Sequence, residues 1–369
     1  MRFVDEFRDP ALARDLADAL RRETPRSMRL MEVCGTHTMA IARFGIKAAL
    51  PEGVRLISGP GCPVCVTPQS LIDAFIELGR RPDMTLTTFG DMLRVPGTDT
   101  NLEVERARGA DVRIVYSPLD AVALAAENPS RKVVFFGVGF ETTAPAVALS
   151  VLEAQRLGLD NFFVLAALKT IPPALAALAS NPDVALDGFL CPGHVSTILG
   201  SAAYEPLAAD HKIPCVIAGF EPLDILQALL MLMRQVADGR AEVEVQYSRA
   251  VSREGMPVAR RCIDTVFAPV DAAWRGLGVL PASGLGFRPE FAAFDAAQFL
   301  PEMPAEPPPP SVCECAAILL GLKSPAECLA FGTACTPERP LGPCMVSSEG
   351  ACAAEFRYAS GGSRMEGDR

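Results

Sequence analysis

Short apolar runs alternate with longer stretches of helical periodicity over most of the chain, and this alternation constrains the fold most strongly. Repeated strand–helix units are typical of parallel sheets covered by helices on both faces. The predicted strands are RLMEV (29–33), VRLIS (54–58), MTLTTF (84–89), VRIVY (112–116), VVFFGV (133–138), FFVLAAL (162–168), GFLC (188–191) and PCVIAG (214–219). The predicted helices lie at 3–22, 69–80, 101–109, 118–127, 143–157, 171–180 and 221–237.

Eight such units exceed what one compact open sheet usually carries, so the α/β class is predicted with two parallel-sheet domains facing a cleft. The first is predicted over residues 1–130, with the leading helix. The second is predicted over 131–300, where EVEVQY (242–247) and the following segment return to pack against the sheets. The stretch 301–310 contains six prolines and cannot continue a helix or a central strand. It predicts a stiff linker to a small cysteine-rich domain at 311–369.

Charge and hydropathy exclude two classes of function. The formal net charge of the 369 residues is -10, and no basic stripe is visible, which argues against a nucleic-acid-binding protein. No run approaches the roughly 18 apolar residues that cross a bilayer, and the opening MRFVDEFRDP is not a secretory signal. The expected location is therefore the cytoplasm.

Six of the twelve cysteines lie after residue 310, in a segment without histidine. They are Cys313, Cys315, Cys328, Cys335, Cys344 and Cys352. An all-sulfur site suits zinc or an iron–sulfur cluster, and buried cysteines acting only as small apolar side chains are a third possibility. Structural zinc normally shows two short C-x2–4-C knuckles, which this segment lacks. Spacings of six, eight and seven residues from Cys328 to Cys352 favour a cluster wrapped by loops.

MEVCGTHT (31–38) places Cys34 just past a predicted strand and His37 three residues later. The carboxyl end of a strand is where open α/β sheets bind ligands, and the intervening glycine lets backbone approach closely. A cysteine and a histidine together suit iron. The alternative interpretation is one buried thiol and one hydrogen-bonded imidazole.

SGPGCPVCVTP (58–68) holds Cys62 and Cys65 in a loop stiffened by proline and glycine. A helix predicted from about Gln69 places the Cys65 thiol near a helix N-terminus, where a lowered thiol pKa would favour redox chemistry or metal binding. A purely structural pairing of the two cysteines is the alternative.

Three further loops follow predicted strands. GVGFETTAP (137–145) has only two glycines of a dinucleotide-binding fingerprint and no acidic partner in place, so NAD binding is discounted. CPGHVS (191–196) and GFEP (219–222) share the position at a strand end, and together the loops predict a lined cleft. Glu141 and Asp99 are expected near that cleft without an assigned role.

These motifs, with WRGLG (274–278) and MVSSEGACAA (345–354), resemble the HypD family of [NiFe] hydrogenase maturation factors. The match runs from residue 31 to residue 354 in family order. The resemblance implies two α/β domains and a third domain holding a [4Fe–4S] cluster. It also implies a stable complex with HypC and cyanide delivery from HypE, which HypF charges, with the hydrogenase large subunit as an indirect partner.

The resemblance also implies site residues. Cys34 corresponds to the family's iron ligand, and Cys62 and Cys65 correspond to a thiol couple required for maturation. The family pattern C-x12-C-x6-C-x16-C places the cluster on Cys315, Cys328, Cys335 and Cys352, with Cys344 as the alternative ligand and Cys313 as an extra thiol. His37 is expected to orient groups or transfer protons near the iron.

The implied activity is assembly of an iron carrying cyanide and carbon monoxide, on a scaffold with redox activity rather than an enzyme with classical turnover. Thiolates suit such a low-spin iron. Release of cyanide from a thiocyanate needs two electrons, which a dithiol supplies together, while a [4Fe–4S] cluster supplies one at a time. The alternatives are a cluster-dependent thiol–disulfide oxidoreductase acting on a protein and a purely structural partner of HypC.

Overall fold

A computed structural model of the chain describes residues 5–23, 26–300 and 312–358. The proline-rich stretch 301–310 lies outside the described residues, as do both ends of the predicted cysteine-rich domain. The strands are β1 Met28–Glu32, β2 Val54–Ser58, β3 Met84–Thr88, β4 Val112–Ile114, β5 Lys132–Gly139, β6 Phe162–Leu168, β7 Gly188–Pro192, β8 Cys215–Ala218, β9 Val243–Val245, β10 Phe267–Trp274 and β11 Gly278–Phe287.

The α-helices connect the strands and build the C-terminal module. They are α1 Pro10–Arg22, α2 Gly35–Arg43, α3 Ile46–Ala49, α4 Pro63–Val66, α5 Gln69–Gly79, α6 Leu102–Ala107, α7 Pro118–Glu127, α8 Ala144–Leu157, α9 Ile171–Ala179, α10 Gly193–Leu199, α11 Glu205–His211, α12 Pro222–Asp238, α13 Pro257–Val266, α14 Cys315–Leu319, α15 Pro343–Val346 and α16 Ala351–Tyr358. Within the described residues, no helix is both long and apolar enough to cross a bilayer.

Every predicted strand before residue 220 is present, with ends within two residues of the prediction. The leading helix is shorter than predicted, because α1 begins only at Pro10. The Asp9 carboxylate accepts hydrogen bonds from the backbone N–H groups of Ala11 and Leu12, and proline suits the first helical position. A separate 3-10 turn, Asp5–Phe7, precedes it. The predicted single helix over 3–22 is therefore wrong at its start.

The strands form two parallel sheets and one antiparallel hairpin. The five-stranded sheet has the order β2-β1-β7-β8-β9, and the four-stranded sheet has the order β4-β3-β5-β6. The hairpin pairs β10 with β11. The α/β class with two parallel sheets is confirmed.

The two sheets are interleaved in sequence rather than divided at residue 130. The chain builds β1 and β2, leaves to complete the four-stranded sheet, and returns with β7 beside β1. A boundary at residue 130 cuts the four-stranded sheet between β4 and β5. Periodicity marks a segment as a buried strand but does not encode its partner, so the sequence alone predicts that consecutive strands share a sheet.

The largest apolar core lies between the two sheets and the C-terminal module. It joins Met31 of β1, Phe136 of β5, Trp274 of β10 and Cys315 of α14. A second core packs α7, α8 and α13 on the four-stranded sheet, and a third packs α1 and α12 on the five-stranded sheet. The strand-end loops of both sheets therefore meet the C-terminal module in one buried region.

Candidate metal and thiol site

Cys34 lies where the strand order of the five-stranded sheet reverses. The chain runs from β1 to β2 on one side and from β7 to β8 on the other, so the loops after β1 and β7 diverge. Such a switch point leaves a crevice at the carboxyl ends of the strands, where open α/β sheets bind their ligands. Cys34 follows β1 and caps the start of α2.

The neighbouring loop after β2 is packed directly on Cys34. The N–H of Gly35 donates to the carbonyl of Gly61 over 2.8 Å. A Cβ atom at Gly61 would lie 2.2 Å from the backbone nitrogen of Cys34, so only glycine allows this approach. The two predicted motifs, CGTHT and GPGCPVC, therefore form one site.

Two carboxylates flank Cys34, of which Glu32 is buried and Glu349 is half-buried. Glu32 accepts the N–H of Cys34 over 3.1 Å and the hydroxyl of Thr38 over 2.6 Å. Glu349, from the C-terminal module, accepts the hydroxyl of Thr36 over 2.8 Å. Burial raises the pKa of both carboxyl groups. Neither carboxylate has a sequence signal of its own, because Glu32 appears as one more position of a buried strand and Glu349 is distant in sequence.

The Cys34 thiol is 8% exposed, and burial raises its pKa to about 12. The negative charges of Glu349 and Glu32 raise the pKa further, while backbone N–H groups of Thr36 and His37 oppose the shift. The group is thus a neutral thiol at neutral pH. A divalent cation binding there would replace the proton, because the thiolate is the ligand form.

His37 is fully buried, and its Nε2 donates to the carbonyl of Gly219 over 2.9 Å, since a carbonyl can only accept. Among the residues described, nothing hydrogen-bonds its Nδ1. Burial lowers the pKa of His37 to about 4, so the ring is neutral and Nδ1 keeps a free lone pair. The ring lies 4.7 Å from that of Phe220, which stacks on His194 at 4.0 Å.

Cys62 and Cys65 are held against each other by the short helix α4. Their Sγ atoms are 2.6 Å apart, and the N–H of Cys65 donates to the sulfur of Cys62 over 3.3 Å. The two residues are 3% and 0% exposed. Burial raises the pKa of Cys65 well above its usual value, so the predicted lowering by a helix N-terminus is wrong. Desolvation of the buried thiolate outweighs any effect of the dipole of the helix predicted from Gln69, which is α5.

Five of the six C-terminal cysteines line one apolar pocket. They are Cys313, Cys315, Cys328, Cys335 and Cys352. The four predicted cluster ligands are thus together, with Cys313 beside them. Cys344, the predicted alternative ligand, is not among the lining residues.

The donor set of the pocket fits an iron–sulfur cluster. Within residues 5–23, 26–300 and 312–358, no group of three or more His, Cys, Asp or Glu side chains is arranged to hold one metal ion. A four-iron cluster does not require such convergence, because each cysteine binds a different iron atom. Thiolates are its usual ligands, and the pocket offers five thiols between apolar walls formed by residues such as Ile318, Phe331 and Met345.

A row of thiols connects the pocket with the dithiol of α4. The Cys344 thiol lies close enough to those of Cys65 and Cys315 to interact with both. Cys315 in turn accepts the thiol proton of Cys313 over 3.2 Å. The position of Cys344 in this row has no sequence signal, because no local pattern relates a loop near residue 65 to one near residue 344.

Glu141 and Asp99, both expected near the cleft, differ in burial. Glu141 is buried, accepts the N–H of Ile171 over 2.8 Å and leaves its second carboxylate oxygen without a hydrogen bond in the described structure. Burial raises the pKa of Glu141 to about 7. Asp99 is exposed on a loop, and no contact connects it with the thiols described above.

The fold and site define an α/β protein in which two strand-end loops and a cysteine-lined module gather buried thiols in one place. A protein-family model described as "HypD: Hydrogenase formation hypA family" matches residues 11–359. The "Hydrogenase maturation factor HypD" of Azotobacter vinelandii is 52% identical over 367 residues, 97% of each chain. That of Escherichia coli (strain K12) is 46% identical over 371 residues, 97% of this chain and 98% of its own. The chain belongs to the HypD family of hydrogenase maturation factors.

Proposed function

We propose that this chain is the scaffold on which the iron–cyanide–carbonyl group of [NiFe] hydrogenases is assembled. Cys34 holds the nascent Fe(II) together with a cysteine of HypC, and HypE delivers cyanide. The observation that carries the proposal is the packing of the Cys62 loop on Cys34, with the thiol row continuing from Cys65 to the cysteine-lined pocket.

The pocket residues Cys315, Cys328, Cys335 and Cys352 would hold a [4Fe–4S] cluster. Such a cluster supplies electrons one at a time. Cys65 lies one thiol, Cys344, away from Cys315, so the dithiol and the pocket are close enough for the row to work as a relay.

The dithiol accounts for the two electrons that cyanide release requires. Cleavage of the sulfur–carbon bond of a thiocyanate on HypE returns the HypE sulfur to a thiol and releases cyanide. Cys62 and Cys65 form a disulfide in the same step and give up two protons, one to the new thiol and one to cyanide. Two electrons and two protons then restore the dithiol.

The alternative, a thiol–disulfide oxidoreductase acting on a protein, fits the burial less well. A protein disulfide would have to reach Cys62 and Cys65, which are only 3% and 0% exposed. A thiocyanate group is linear and narrow, so it needs less space to approach the two sulfur atoms. The two functions are separated by infrared spectroscopy of the anaerobic complex purified with HypC. Bands of bound cyanide and carbon monoxide are expected, and a complex that contains iron and HypC but lacks these bands would contradict the scaffold function.

Oxidation of the dithiol provides a second test. Graded redox buffers should produce a reversible loss of two hydrogen atoms, localised by mass spectrometry to residues 58–68, because the two sulfurs are already in contact. Cys62→Ser is the control, since it removes one partner and leaves Cys65 beside Cys344. A disulfide joining Cys65 to Cys344 in the wild-type protein, or a dithiol that resists strong oxidant, would contradict the assignment.

A further inference from the structure

A second cavity is bordered by α3, by β1 and the edge strand β2, and by the first loop of the C-terminal module, and it shares Ile318 with the cysteine-lined pocket. Its volume is about 470 Å³, which is within the usual range for small-molecule sites. Its polar lining is mainly cationic. The cationic and hydroxyl side chains are Arg29, Lys47, Arg55, Ser58, Lys323 and Ser324.

Arg29 and Arg55 are direct neighbours on adjacent strands. The parallel register of β1 and β2 pairs Arg29 with Arg55, so both side chains leave the same face of the sheet. Like charges in this position repel each other and destabilise a sheet. Neither guanidinium forms an ion pair with a carboxylate in the part of the chain that the structure describes.

Arg29 also has an unused donor. Its Nη2 donates to the carbonyl of Gly321 over 3.2 Å, while the buried Nε has no hydrogen-bond partner in the described residues. Leaving a charged donor buried without an acceptor is costly. An acceptor in the cavity, such as an oxygen atom of an anionic ligand, would satisfy this donor.

The other charges of the cavity are partly compensated. Lys323 forms an ion pair with Glu314, and Lys47 lies 3.9 Å from Glu355. The carboxylate of Glu327, which also lines the cavity, accepts the N–H of Ser324 over 2.6 Å and its hydroxyl over 2.8 Å. The two arginines are thus the lining cations that form no ion pair in the described residues, although the charge of Arg55 acts on Glu327.

We propose that this cavity binds a small phosphate-bearing molecule, with Arg29 and Arg55 holding the phosphate oxygens. The planar guanidinium fork matches a phosphate, and a dianion relieves the repulsion between both arginines. Apolar side chains that also line the cavity, including Leu50, Leu56 and Leu322, would contact the organic part of the ligand. The site is separate from the thiol row, so the proposal does not depend on the function assigned to Cys34.

Titration calorimetry of the full chain with inorganic phosphate and pyrophosphate, at constant ionic strength, tests the proposal. Pyrophosphate should bind with a stoichiometry of one. Arg55→Gln should weaken it about tenfold or more, the effect of losing one charge-assisted hydrogen bond. Arg55→Lys, which keeps the charge but loses the fork, should give an intermediate affinity. Arg14→Gln is the matched control, because Arg14 is exposed on α1, lies outside the cavity and undergoes the same change of charge.

Arg55 is exposed on its strand, so its variants should fold like the wild type, which thermal unfolding without ligand would verify. Arg29→Gln removes a contact with the module and serves as the second variant. Failure of wild-type protein to bind either anion at millimolar concentration would overturn the proposal. So would equal affinity of the Arg55→Gln and Arg14→Gln variants, or binding of succinate as tightly as pyrophosphate.

Discussion

Replacing Cys34 with serine is expected to abolish the infrared bands of iron-bound cyanide and carbon monoxide in the complex with HypC, and with them hydrogenase maturation. Serine is a neutral, hard donor, whereas a low-spin iron carrying these ligands needs a soft thiolate. The loss should be complete, because the other sulfurs near Cys34, those of Cys62 and Cys65, would have to leave their mutual contact to replace it.

The same substitution should leave the fold intact. The N–H of Cys34 donates to Glu32 and its carbonyl accepts the N–H of Thr38, and both are backbone contacts that serine keeps. Serine is also a favourable residue at the start of a helix, the position that Cys34 occupies in α2. Cys262→Ser, at a half-buried cysteine of α13, is the control and should retain the bands.

His37→Ala should weaken the bands less than Cys34→Ser does, if the imidazole orients groups or moves protons. Its Nδ1 has a free lone pair in the described structure, but its Nε2 is committed to Gly219. Bands of full intensity in the Cys34→Ser complex would place the iron elsewhere, and Cys62 or Cys65 would then be the first positions to examine.

The sequence predicted the elements of this fold better than their arrangement. Strands such as VRLIS (54–58) and FFVLAAL (162–168) coincide with β2 and β6, because apolar runs bounded by turns are local signals. The return of β7 to a place beside β1 has no local signal, since either sheet would bury its apolar residues equally well. The interleaving of the two sheets is therefore information that only the three-dimensional packing contains.

In the candidate site, too, local motifs are visible in the sequence while contacts between distant segments are not. Cys34, Cys62 and Cys65 are recognisable because each follows a strand within a glycine-containing motif. The pairing of Cys65 with Cys344, and the approach of Glu349 to Thr36, depend on how the C-terminal module docks on the strand-end loops. The raised pKa of Cys65 was missed for the same reason, because burial by distant segments outweighs the local helix.

Anaerobically prepared protein is expected to contain about four iron and four sulfide per chain, as a [4Fe–4S] site demands. Cys328→Ser should lower this content severely, because serine cannot replace a thiolate that binds one iron of the cluster. Cys315→Ser, Cys335→Ser and Cys352→Ser should behave alike. Iron and sulfide analysis, together with the visible absorption of the cluster, measures the effect.

Cys344→Ser is the informative comparison, because Cys344 belongs to the thiol row but does not line the pocket. It should keep the cluster while slowing reduction of the Cys62–Cys65 disulfide, since it removes the thiol between Cys65 and Cys315. Cys313→Ser, which changes a lining thiol outside the predicted ligand set, should keep both properties. Loss of the cluster in Cys344→Ser with its retention in Cys315→Ser would instead make Cys344 the fourth ligand, and the thiol row would then end at the cluster itself.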